Sequence, residues 1–225
     1  MLNIAQSHYT NVQIATWLRG LLTISWADGD YTEEEQHFIT DLVKEMGFRD
    51  TDTVLFKTIT PEELVEGLGN DKMTAENFLR TAALVAIADG LYSPSEAQLL
   101  RDYSQALGIK IKALESLEHT LCDPTATHPD GSPLEQGHPH PDLLHPIKDW
   151  LDEMPIQDPR LARFICKLVP PQCPFERDIT LFGHKLVHIP PLCKLNPLYD
   201  QLVGLRFRSL SYLADECKED ISEFI

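Results

Sequence analysis

The sequence predicts an all-α protein: a helical block built on an internal helix-turn-helix repeat, followed by a small helical domain punctuated by proline. Three observations predict it. The string Trp26-Ala27-Asp28-Gly29-Asp30-Tyr31-Thr32-Glu33-Glu34-Glu35 is echoed by Ile87-Ala88-Asp89-Gly90-Leu91-Tyr92-Ser93-Pro94-Ser95-Glu96. Each copy reads Ala-Asp-Gly-x-Tyr-[Thr/Ser]-x-x-Glu, the two lie roughly 60 residues apart, and each sits between two apolar runs. Apolar residues outside the motif recur at helical spacing, and no strand pattern stands out. A repeated supersecondary unit fixes the architecture before any single element does.

The first run, Asn11 to Ala27, is apolar at Val12, Ile14, Leu18, Leu21, Leu22 and Trp26, which is helical spacing. Gly29 suits a C-terminal cap. Thr32 and Glu35 form a capping box that opens a second helix toward Met46. Thr60-Pro61-Glu62-Glu63 opens a short third helix with proline in its first turn. A fourth runs from about Thr74 to Ala88. Ser93 and Glu96 form another capping box, and the helix they open ends near Leu107-Gly108. A sixth spans about Ile111 to Leu121. Beyond the linker, a helix is expected from His145 to about Met154. Another follows, capped by Asp158 with Pro159 behind it. A third is expected from Pro174 to Val187, and a last one, capped by Asn196, runs toward Cys217.

Composition divides the chain into residues 1–122, a Pro/His-rich linker at 123–144, and residues 145–225. The linker shows no apolar period and carries turn-forming residues throughout. Charge shifts with it. Residues 1–122 carry 19 acidic and 9 basic side chains, whereas residues 161–225 carry 8 of each. The net charge of -16 disfavours nucleic acid and anionic lipid as partners. No apolar stretch reaches the roughly 18–20 residues of a membrane span, so no membrane insertion is expected. The opening residues lack the pattern of a signal peptide. Five scattered cysteines make a poor disulfide framework, and the expected compartment is the cytoplasm.

The acidic repeat holds the first candidate chemistry. Glu35 and Glu96 are accounted for by capping, since each satisfies orphan backbone N–H groups at a helix start. Asp28 and Asp89 are not. They fall at helix C-termini, where the macrodipole makes a carboxylate cost roughly 0.3–1 kcal/mol. A bound cation would offset that cost. Four oxygen donors, from Asp28, Glu35, Asp89 and Glu96, suit Ca²⁺ or Mg²⁺ rather than zinc. The second candidate is the set Cys166, Cys173, His184, His188 and Cys193, soft ligands of the kind that hold zinc or an iron–sulfur cluster. Its Cys-x₆-Cys spacing is wider than a usual zinc knuckle. His138-Pro139-His140-Pro141 reads as solvated linker. Arg206-Phe207-Arg208 offers either a basic face or a strip satisfied by internal contacts. No serine-hydrolase elbow or triad order is present.

The two Ala-Asp-Gly-x-x-x-x-x-Glu units resemble the TerB family of tellurite-resistance-associated proteins over roughly residues 5–122. The resemblance implies an all-helical domain linked to stress responses, with Asp28, Glu35, Asp89 and Glu96 binding divalent cations. The strings Cys166-Lys167-Leu168-Val169-Pro170-Pro171-Gln172-Cys173-Pro174 and Ile189-Pro190-Pro191-Leu192-Cys193-Lys194-Leu195-Asn196-Pro197 are similar to a cyanobacterial domain labelled "Mo-dependent nitrogenase C-terminal", over about 143–220. A nitrogenase reductase needs a Gly-x-x-x-x-Gly-Lys-[Ser/Thr] loop, and this chain has none. The expected function is therefore non-enzymatic: a stress-related or scaffolding protein with a divalent-cation site and a C-terminal domain that binds a protein partner. The alternatives are a zinc or iron–sulfur protein and an unrecognised enzyme.

Overall fold

A computed structural model describes residues 8–27, 57–87, 92–118, 144–169 and 198–225, together with the backbone of 177–181 and 184–189. The expected second helix, Thr32 to Met46, and the linker residues 123–143 lie outside the described residues. The chain divides into two compact units. One comprises residues 8–86 and 91–155; the other comprises 1–7, 87–90 and 156–225. The fold is all-α in both units, with one hairpin in the second.

In the first unit four helices begin where a side chain satisfies free N–H groups. Helix α1 (Asn11–Ser25) starts behind Thr10, whose hydroxyl accepts from Gln13 N while Gln13 returns a bond to Thr10 N. Helix α2 (Pro61–Leu68) uses Thr60 and Glu63 in the same way, with proline at its first position. Helix α3 (Lys72–Ala86) follows Asp71, whose carboxylate accepts from Thr74 N at 2.8 Å. Ser93 and Glu96 start helix α4 (Pro94–Ala106). Helices α5 (Lys112–Leu117) and α6 (His145–Asp152) have no side-chain cap. The capping box at Thr10, with glutamine at its third helical position, was not anticipated from the sequence.

The core lies where α1 packs on α2, α3 and α4, and α5 packs on α6. Leu64, Leu68, Phe78, Leu79, Leu100 and Tyr103 are fully buried in it. Phe78 sits at the centre, edge-on to Trp17 and Tyr103 with ring centroids 5.8 Å away in each case. Two glycines let backbones approach. A Cβ at Gly67 would stand 2.0 Å from Thr16 Oγ1, and one at Gly20 would stand 2.6 Å from the Phe78 ring. A side chain at either position must displace packed neighbours.

The second unit is built on helix α7 (Pro159–Leu168) and helix α8 (Tyr199–Ser211), which continues into a π-helical turn at Tyr212–Glu216. Asp158 caps α7, accepting from Arg160 N at 2.9 Å, with Pro159 next, as the sequence suggests. The core gathers Ala162, Cys166, Leu213, Cys217 and Phe224. Arg163 and Glu219 pair in bidentate fashion across it. Arg206 donates to the carbonyls of Val169 and Phe224, so it ties the C-terminal segment down rather than presenting a basic face.

Two expectations are corrected here, and the compact-unit division places one further helix. The helix expected at Pro174 to Val187 is replaced by an antiparallel hairpin of β1 (Arg177–Leu181) and β2 (His184–Ile189), registered Arg177 to Ile189. Asp178-Ile179-Thr180-Leu181 alternates polar with apolar, and Ile179, Thr180, Val187 and Ile189 are β-branched, so local preference favours strands. Helix α8 begins after Leu198, not after an Asn196 cap, and makes no side-chain cap bond. Helix α6, grouped with the tail on composition, is part of the first unit. Its amphipathic face buries Ile147, Trp150 and Leu151, and that burial outweighs its closeness in sequence to the tail.

Candidate functional site

The repeated acidic motif is the site that sequence singled out. Asp28, Glu35 and Asp89 lie outside the described residues; Glu96 lies within them. Its Oε2 accepts from Ser93 N at 2.8 Å and from Ser93 Oγ at 2.8 Å, while Glu96 N donates to Ser93 Oγ at 3.2 Å. The capping role read for Glu96 is therefore present. Tyr92, the motif tyrosine, is buried beside it, and burial, with the Glu118 charge second, holds its phenol well above the usual range.

What surrounds the motif repeats more closely than the motif alone suggests. Helices α1 and α3 are each 15 residues long. The offset between them is 61 residues, the same as between Asp28 and Asp89. Each helix ends three residues before its aspartate. The same offset maps the Thr10–Gln13 cap onto the Asp71–Thr74 cap. It maps Trp17 onto Phe78, and these two equivalent rings meet edge-on. It also maps exposed Val12 onto exposed Met73, and Arg19 onto Arg80. Matching caps, burial and helix ends extend the repeat beyond the two Asp-Gly motifs, whose own residues lie outside the described ones.

Of the second candidate set, only the side chain of Cys166 is described. The backbones of His184 and His188 lie on β2, and Cys173 and Cys193 lie outside the described residues. Cys166 is 3 % exposed, among Ala162, Leu213, Cys217 and Phe224. Burial pushes its thiol up to about 11. Metal ligation needs the thiolate, so this apolar pocket favours the protonated form. Among the described residues no group of three or more His, Cys, Asp or Glu side chains gathers to hold a metal. Sequence reading missed Cys217, which lies in the same apolar core; its only signal was helical spacing after Leu213.

Residues 143–225 match the family model described as Mo-dependent nitrogenase C-terminus. The match starts ahead of the compact-unit boundary at Pro155/Ile156, so the family segment contributes α6 to the first unit and the rest to the second. No curated protein and no solved structure gives a significant match to the chain. No helix among the described residues is long and apolar enough to cross a membrane.

The buried thiols give the family-matched core a definite response to pH. Burial raises Cys166 to about 11, raises Cys217 and carries Tyr212 to about 12. Each group is neutral in the folded core, and its folded pKa lies above its unfolded one. The stability they contribute is fully present below the unfolded thiol value and is lost as pH rises from about 9 through about 11. Alkylation of Cys166 and Cys217, read by mass spectrometry on the native chain, is expected to be negligible near about pH 8 and to rise across that window. Full labelling of both at about pH 8 would contradict a dry, thiol-filled core.

Proposed function

We propose that the chain is a non-enzymatic, stress-related scaffolding protein in two parts. The first is a TerB-like module that holds Ca²⁺ or Mg²⁺ through Asp28, Glu35, Asp89 and Glu96. The second is a tail that docks a protein partner. The observation that carries the first part is the single 61-residue offset, which relates helices, caps and buried rings as well as the two Asp-Gly loops. A motif kept only for capping needs Gly, Thr or Ser, and Glu. It does not need an aspartate against the helix dipole in both copies. A hard cation would neutralise both.

The second part is supported by α8. Val203 and Phe207 stand one turn apart on this helix and are 41 % and 69 % exposed. Large apolar side chains paired on one exposed helix face suit helix-to-protein contact. The balanced charge of residues 161–225 leaves little to desolvate when such a surface is covered. Titration of the full chain with calcium and magnesium tests the cation reading, beside the variants Asp28→Asn and Asp89→Asn. Saturable binding that both substitutions weaken supports it.

A further inference from the structure

The repeat offset also places two arginines in equivalent positions, and each one anchors a flanking helix. On α1, Arg19 donates to the carbonyls of Lys57 and Thr58 and pairs with Glu63 Oε2 of α2 at 3.0 Å. On α3, Arg80 pairs with Glu153 Oε2 at 3.7 Å, at the end of α6, and its guanidinium carbon stands 5.4 Å from the ring centre of Trp150. Arg80 also bonds Asn77 Oδ1 at 3.0 Å and Glu76 Oε1 at 3.1 Å. That same Glu76 oxygen accepts the Trp150 indole N–H at 3.0 Å. Arg80, Glu76 and Trp150 thus form one closed cluster between α3 and α6.

The second repeat has no sequence counterpart of α2. Carried forward by 61 residues, α2 falls on residues 122–129, where buried Leu64 and Leu68 become Thr125 and Pro129. A proline and a threonine cannot replace those two core anchors. Helix α6 supplies what is missing. Ile147 and Leu151 are four residues apart, as Leu64 and Leu68 are, and all four are at most 1 % exposed. We infer that α6, packed chiefly on α5, is a docking helix that fills the place left without a counterpart of α2, with Arg80 of α3 as its polar anchor. The surface formed by α5 and the Arg80–Glu76 edge of α3 is then a helix-binding site of the first unit. Its occupant is the opening helix of the family-matched segment.

Helix α6 is eight residues long and has no side-chain cap. A helix that short has little stability in isolation, so its order depends on docking. Hydrogen exchange on the full chain tests this, independently of any cation. Arg80→Met is expected to raise exchange about ten-fold or more in residues 144–154 while α1, α3 and α4 keep their protection. Arg19→Met is expected to do the same in residues 57–68. Trp150→Phe keeps an aromatic ring beneath Arg80 and removes the bond to Glu76. It is expected to give a smaller rise confined to 144–154, and it carries the test if Arg80→Met does not fold. Unchanged exchange in 144–154 in both Arg80→Met and Trp150→Phe, or a uniform rise across α1, α3 and α4 in Trp150→Phe, would overturn the inference.

Discussion

Phe78→Ala is expected to cost the first unit about 3–5 kcal/mol, the range for truncating a fully buried phenylalanine. Phe78 is 0 % exposed, meets Trp17 and Tyr103 edge-on, and fills the space left by the absent side chain of Gly20. Its loss opens a cavity where α1, α3 and α4 meet, and no neighbour is free to collapse into it. All three tryptophans, Trp17, Trp26 and Trp150, belong to this unit. Urea unfolding followed by tryptophan fluorescence therefore reads the effect directly. Val12→Ala is the control: Val12 is 65 % exposed, and a change within about 0.5 kcal/mol is expected.

The largest effect expected in the tail is from Asp158→Ala. Asp158 is fully buried, caps α7 through Arg160 N, and pairs with the Arg160 side chain at 3.2 Å. Removing its carboxylate deletes the cap, worth about 0.5–2 kcal/mol. It also leaves the partner guanidinium without its buried counter-charge, which brings the total to about 3–5 kcal/mol. Asp158→Asn keeps the capping oxygen and the shape, so it is expected to lose markedly less. Labelling of Cys166 and Cys217 under native conditions reports on the tail, since both thiols sit in its core. Equal damage from the two substitutions would mean that the charge alone matters and the cap does not.

Helices in both units were legible where several signals agreed. Thr60, Ser93 and Asp158 each stand directly before a proline at N1 and an apolar period, and the structure starts helices at all three. The hairpin was not legible in the same way. Residues 174–189 hold seven apolar positions at irregular spacing, and the flanking prolines were read as helix stops rather than as bounds on a strand pair. The origin of α6 was hidden for a different reason. Its own sequence predicts a helix, but its assignment to the first unit rests on packing against α5 across the linker, and on Arg80 and Glu76, more than 60 residues away along the chain. A composition shift cannot report such a contact. At the acidic motif, the capping role of Glu96 was legible in the sequence. The extent of the repeat emerged only when helix ends and caps were compared.

Isothermal titration of the full chain with Ca²⁺ and Mg²⁺ tests the proposed function most directly. The account predicts saturable heat with at least one of the two ions. Asp28→Asn and Asp89→Asn are each expected to weaken it by about ten-fold or more through loss of a carboxylate ligand, with helical content unchanged. No heat and no thermal shift at millimolar calcium or magnesium would contradict it. The motif would then be a capping device alone, and both asparagine variants would be neutral or slightly more stable, freed of a carboxylate at a helix C-terminus.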